Sequence, residues 1–187
     1  MNRVAKIIVL LVGFGLASVS QADLNLSPAD CQIGVNCWTS DVNRQPDGDA
    51  IEQLVGTETN LFEQYKSEVG GADSGPFAGD YVTTYENEPT DPQDATIVWL
   101  EGDVIDCSEE CYLTVKDGNH SPSLYVFDIT GWDGMMSIVL TGFWPRGGAI
   151  SNIAIWSGND VRVPEPGSLA LLGIGLLGFG MSRRRTR

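Results

Sequence analysis

The sequence predicts a mainly β protein: an antiparallel β-sandwich of jelly-roll type, with a short helical and loop region before it and a hydrophobic stem behind it. Three observations carry this. Short runs rich in β-branched and aromatic residues recur from Tyr81 to Trp156. Turn-forming clusters of Gly, Pro, Asp and Asn separate them. The last connections are too short to hold crossover helices, so the final strands are expected to run antiparallel as a meander. Several short strands at regular spacing bury their apolar sides by stacking two sheets face to face.

Taken in order, the first 22 residues are not part of that domain. Arg3 and Lys6 charge the start, Ile7 to Ala17 is apolar, and Ser20-Gln21-Ala22 places small residues where a signal peptidase reads. Cleavage is expected after Ala22. The apolar run is shorter than a full membrane span, which disfavours a retained anchor.

Residues 23–75 are polar and acidic and are expected to pack on the domain. Helical spacing is suggested at Asp49 to Val55 and again at Asn60 to Val69, where Leu61, Phe62, Tyr65 and Val69 recur near a period of one turn. Residues 76–162 form the expected sandwich core. Its strands are Tyr81 to Tyr85, Thr96 to Leu100, Tyr112 to Val115, Leu124 to Ile129, Ser137 to Phe143 and Ile150 to Trp156. Asp117-Gly118, Asp133-Gly134 and Arg146-Gly147-Gly148 mark the later turns.

Residues 163–187 change character again. Val163-Pro164-Glu165-Pro166 opens the segment, an apolar run from Leu169 to Met181 follows, and Arg183, Arg184, Arg185 and Arg187 close it. The prolines fix φ and remove backbone donors, so the motif stays extended, as a peptide in a protease groove must be. The stem falls short of the roughly 20 residues a helix needs to cross the hydrocarbon core, and its glycines weaken it further. It reads as a temporary anchor. The arginines stay cytoplasmic, which leaves everything before Pro164 outside the inner membrane.

This tail resembles the PEP-CTERM sorting signal of Gram-negative bacteria, whose three parts occur in the same order. The resemblance implies recognition of Pro164, Glu165 and Pro166 by a membrane-embedded exosortase, cleavage nearby, and release or transfer of the folded part to the envelope or an extracellular polymer. Ice-binding and other unrelated exported proteins share such tails, so the resemblance implies a route and not an activity. An ice-binding face would need a regular threonine array. Thr83, Thr84, Thr96, Thr114, Thr130 and Thr141 have no fixed period.

The 187-residue chain has a formal charge of −14, and removing both ends makes it more acidic. Residues 23–163 hold 24 acids against five bases (Arg44, Lys66, Lys116, Arg146 and Arg162), a balance of −19. Nucleic acid and anionic lipid would be repelled by that field, so neither is an expected partner. Signal peptidase, an exosortase and exopolysaccharide are.

Four cysteines, Cys31, Cys37, Cys107 and Cys111, lie in the exported part. In an oxidising compartment an even count reads as disulfides, with three connectivities open; the two local pairs are favoured. A four-cysteine zinc site is the rival, but neither pair has the usual two-residue knuckle spacing. Asp41-Val42-Asn43 and Asp47-Gly48-Asp49 resemble a calcium loop only faintly, with the register wrong and Arg44 and Pro46 intruding. No cofactor or metal site is expected.

Trp99, Trp144 and Trp156 lie in or beside β-rich runs and are expected in the core. Trp132 sits in the turn Thr130 to Gly134, where a large ring needs a packing partner or a ligand. It is the first candidate for a glycan contact. His120 is the only histidine, and no Gly-x-Ser-x-Gly elbow accompanies it or the nearby Ser121 and Ser123. The expected function is therefore that of an exported, non-catalytic surface or matrix protein that holds glycan. The alternative is a secreted carbohydrate-active enzyme using a carboxylate pair.

Overall fold

The computed structural model describes residues 22–86 and 91–158. Within them lie nine strands in two sheets, which stack as a sandwich. The strands are β1 (Leu24–Leu26), β2 (Cys37–Ser40), β3 (Phe62–Glu68), β4 (Tyr81–Tyr85), β5 (Ala95–Trp99), β6 (Cys111–Lys116), β7 (Leu124–Asp128), β8 (Ile138–Leu140) and β9 (Asn152–Ser157). One sheet has the order β1-β8-β5-β4 and the other β2-β7-β6-β9-β3. All pairs are antiparallel except β1 with β8. The jelly-roll-like feature is the nesting of β2·β7 inside β1·β8.

Period-2 alternation sorts the larger sheet into two faces. Leu113 and Val115 of β6, Phe127 of β7, and Ile153 and Ile155 of β9 point into the space between the sheets, against Ile97, Ile138 and Leu140 of the other layer. Their neighbours Tyr112, Val126, Ala154 and Trp156 point outward into a second cluster. That outer face is roofed by the helix α1 (Gly48–Val55) through Ile51, with Leu54 and Val55 beside it. β6 and β9 are buried at every position, with Tyr112, Ala154 and Trp156 in the cluster under the roof, and each fully buried large apolar side chain contributes about 1.5–3 kcal/mol.

The helix begins where a cap exists. Asp47 accepts the Ala50 amide at 2.9 Å, and Gly56 ends the helix at φ 83°, a conformation glycine adopts without steric cost.

Three expectations are corrected. Asn60 to Val69 forms strand β3 and not a helix. A β-bulge between Glu63 and Tyr65 buries Gln64 and Tyr65 in succession, and this breaks the alternation into a pattern that resembles helical spacing. The final strands do not form a simple meander: β6 and β7 pair as a hairpin, β8 crosses to the other sheet, and β9 returns between β6 and β3. Residues 23–75 do not merely pack on the sandwich, since they supply β1, β2 and β3 to its two sheets.

Both local disulfides are present. Cys31–Cys37 ties the loop before β2 to that strand, and Cys107–Cys111 closes the turn leading into β6, with Cα atoms 5.0 and 5.1 Å apart.

Candidate functional site

The turn between β6 and β7, residues 117–123, stands at one end of the larger sheet and divides two hollows. On one side is a groove of about 390 Å³ lined by Pro28, His120, Ser121, Tyr125, Trp144, Pro145 and Arg146. On the other is a smaller hollow of about 250 Å³, lined by Asp41, Asn43 and the same turn. His120 and Ser121 belong to both.

Asp117 holds the walls together. It is 3 % exposed, and its carboxylate accepts the Asn119 amide at 2.6 Å, the His120 amide at 3.3 Å and the Ala149 amide at 2.7 Å. The His120 ring meets it through Nδ1 at 3.1 Å. One side chain thus joins the β6–β7 turn to the loop between β8 and β9. Burial alone would raise the Asp117 carboxyl, but the hydrogen bonds from Asn119, Ala149 and His120 outweigh it and hold it below the ordinary carboxylate range. Gly148 permits the approach. A Cβ there would lie 2.5 Å from both Asp117 Oδ2 and Trp144 Cβ.

The floor is aromatic. Tyr125 alternates inward on β7 and meets Phe143 and Trp144 edge-on, with ring centroids 5.4 and 5.5 Å away. Trp144 has φ 49°, the left-handed region, which for a bulky residue costs about 1–3 kcal/mol and persists only where the surroundings impose it. They do so here: its indole donates to the Pro122 carbonyl at 2.7 Å and its carbonyl accepts the Gly148 amide. Burial raises the Tyr125 phenol above its ordinary value, so it stays a protonated hydroxyl at the groove.

Basic side chains are few. Four basic side chains lie among the described residues, and of these only Lys66 has a carboxylate within ion-pair distance, on Glu68. Arg146 is exposed on the groove wall. Lys116 is 6 % exposed, its ammonium held by the Asp117 carbonyl at 3.0 Å and by Asn43 Oδ1 at 3.3 Å. Arg44 lines a third hollow, beside α1 and lined there by Ala50, Gln53 and Leu54.

Trp132 is not at this site. It is 5 % exposed, its indole donates to the Met136 carbonyl at 2.9 Å, and its ring packs 6.0 Å from Tyr81. The turn tryptophan has a packing partner and offers no platform to a sugar. Trp144, expected only in the core, reaches the groove instead; its signal in the sequence is the aromatic-Pro-Arg-Gly-Gly turn from Trp144 to Gly148.

The faint calcium loop is dispersed. Asp47 caps α1 and Asn43 accepts from Lys116, and no group of three or more metal-binding side chains occurs among the described residues. His120 is oriented by Asp117, but Ser123 Oγ donates to the Ser40 carbonyl at 3.1 Å and is committed to backbone. No carboxylate lines the larger groove. Among the described residues no helix is long and apolar enough to cross a membrane. The signal peptide, the motif Val163 to Pro166, the stem, and Arg183, Arg184, Arg185 and Arg187 lie outside the described residues.

The fold and groove define a two-sheet β-sandwich with a small aromatic and polar cleft. Residues 162–185 match the family model of the PEP-CTERM protein-sorting motif. The chain is thus an exported protein that carries an exosortase-directed sorting signal. No curated protein and no solved structure matches it.

Proposed function

We propose that this protein acts at the cell surface or in the extracellular matrix as a non-catalytic glycan-holding domain. After signal peptidase and an exosortase have removed its two ends, the groove between the β6–β7 turn and the β8–β9 loop retains exopolysaccharide. The observation that carries this reading is the groove itself. Tyr125 and Trp144 give a fixed apolar floor on which the C–H face of a sugar packs, and His120, Ser121, Arg146 and the Tyr125 hydroxyl surround it with hydrogen-bonding groups. Its volume of about 390 Å³ lies in the range of small-ligand sites. The held Trp144 backbone supports the reading too, because left-handed strain at a bulky side chain concentrates where function needs it.

Cosedimentation of the extracellular form with the producer's exopolysaccharide tests this. Wild type is retained, Tyr125→Ala with Arg146→Ala is not, and no new reducing ends appear during incubation. Equal retention of the double variant, or steady release of reducing ends by the wild type, refutes the proposal.

A further inference from the structure

We propose that the groove selects a glycan unit bearing one isolated carboxylate, such as a uronate set in an otherwise neutral chain. In this assignment Arg146 pairs the carboxylate, His120 and Tyr125 donate to neighbouring sugar oxygens, and the Trp144 edge supports the ring. The inference rests on the glycan reading above and specifies its ligand.

Two opposed facts about charge lead to it. Residues 23–163 carry a balance of −19, so a densely charged polyanion approaching from solution meets long-range repulsion. Yet the groove is lined by one arginine and the only histidine, with no carboxylate among its lining residues. Asp117, which holds the His120 ring, is buried, with both oxygens committed to the Asn119, His120 and Ala149 amides and the His120 ring. Arg146 is therefore an exposed guanidinium with no carboxylate within 4.0 Å among the described residues, in a domain where acids are abundant. A guanidinium fork matches a carboxylate in two-point geometry, which a neutral hydroxyl does not reproduce. The other described cations are engaged elsewhere: Lys66 pairs with Glu68, the Lys116 ammonium is bound to Asn43 and the Asp117 carbonyl, and Arg44 lines a separate hollow. One guanidinium on one groove fits one carboxylate, and the surrounding field disfavours a run of them.

The experiment titrates the processed extracellular form against paired oligosaccharides, each neutral member matched by a counterpart with a single carboxylate at C6. About 0.15 M salt is used, because a Debye length of roughly 8 Å screens distant acids and leaves a direct pair intact. The carboxylated members are expected to bind about ten- to hundredfold more tightly, the difference one charge-assisted contact supplies. Arg146→Gln, at an exposed loop position, brings each pair to within about twofold, because it weakens the carboxylated member more than the neutral one. Equal binding of the paired members by wild type overturns the carboxylate assignment and leaves the groove as a neutral-glycan site. A preference that survives in Arg146→Gln overturns the role given to that residue. Silence across every pair overturns both this inference and the glycan reading beneath it.

Discussion

Replacing Asp117 by asparagine tests whether one buried carboxylate ties the two walls of the groove. The side chain keeps its size and loses its charge. Its two oxygens serve different loops: Oδ1 takes the Asn119 and His120 amides, and Oδ2 takes the Ala149 amide and the His120 ring. An amide has only one oxygen, so either orientation sets an NH₂ group against a backbone N–H that sits 2.6 or 2.7 Å away in the wild type. Leaving one such donor unsatisfied costs about 1–3 kcal/mol, and removing charge assistance from the surviving contacts adds roughly 1 more. The expected loss is about 2–4 kcal/mol. For a domain of this size each kcal/mol moves Tm by about 4 °C, so D117N should melt roughly 8–16 °C lower at pH 7. The pH dependence follows with a definite sign. The folded-state pKa lies below the ordinary value of 3.8, so the carboxylate's contribution is complete above that value and is lost as pH falls through the folded one. The gap between wild type and D117N therefore narrows below about pH 4. Melting by circular dichroism from pH 2.5 to 8 measures both effects. A Tm within about 2 °C of wild type at pH 7, or a gap that widens in acid, refutes the reasoning.

Three other substitutions probe neighbouring parts of the argument. Gly148→Ala forces a methyl to within 2.5 Å of Asp117 Oδ2 and Trp144 Cβ, and it should destabilise by about 1–3 kcal/mol and weaken glycan retention together; unchanged retention would show that the wall does not matter. Thr114→Val keeps the shape of β6 but orphans the Trp156 indole N–H, which donates to Thr114 Oγ1 at 3.1 Å in a buried site, so about 1–3 kcal/mol should be lost in urea unfolding without any change in binding. Cys31→Ala with Cys37→Ala opens a loop of sequence separation 6, and the chain-entropy model gives a loss of about 2 kcal/mol; a variant as stable as wild type would mean that this pairing adds nothing.

Much of the sandwich was legible because alternation and turn chemistry act locally. Tyr81–Tyr85 is bounded as its pattern implies, and the Asp117-Gly118 turn joins the β6–β7 hairpin. The helix at Gly48–Val55 was legible from the apolar spacing of Ile51, Leu54 and Val55. Reading failed where tertiary geometry overrides local pattern. The bulge at Glu63 and Tyr65 disguised β3, and the three-residue β1 is too short to carry a period. The crossing of β8 to the opposite sheet depends on partners distant in sequence. The groove was only half visible. His120 stood out as the sole histidine, but among many acids nothing marked Asp117 as its partner. Trp144 read as an ordinary core residue and Tyr125 as one more residue of a β-rich run, and only the folded chain brings both to the groove.

For the groove to meet an extracellular glycan, this chain must leave the cytoplasm, lose both ends and fold as an oxidised domain. Intact-mass and terminal-peptide analysis of the protein recovered from the extracellular fraction tests that claim most directly. The prediction is a chain that begins at Asp23, ends near Pro164, lacks Arg183, Arg184, Arg185 and Arg187, and contains the Cys31–Cys37 and Cys107–Cys111 bridges. Recovery only from the cytosol, with both hydrophobic ends attached and four free thiols, would contradict it.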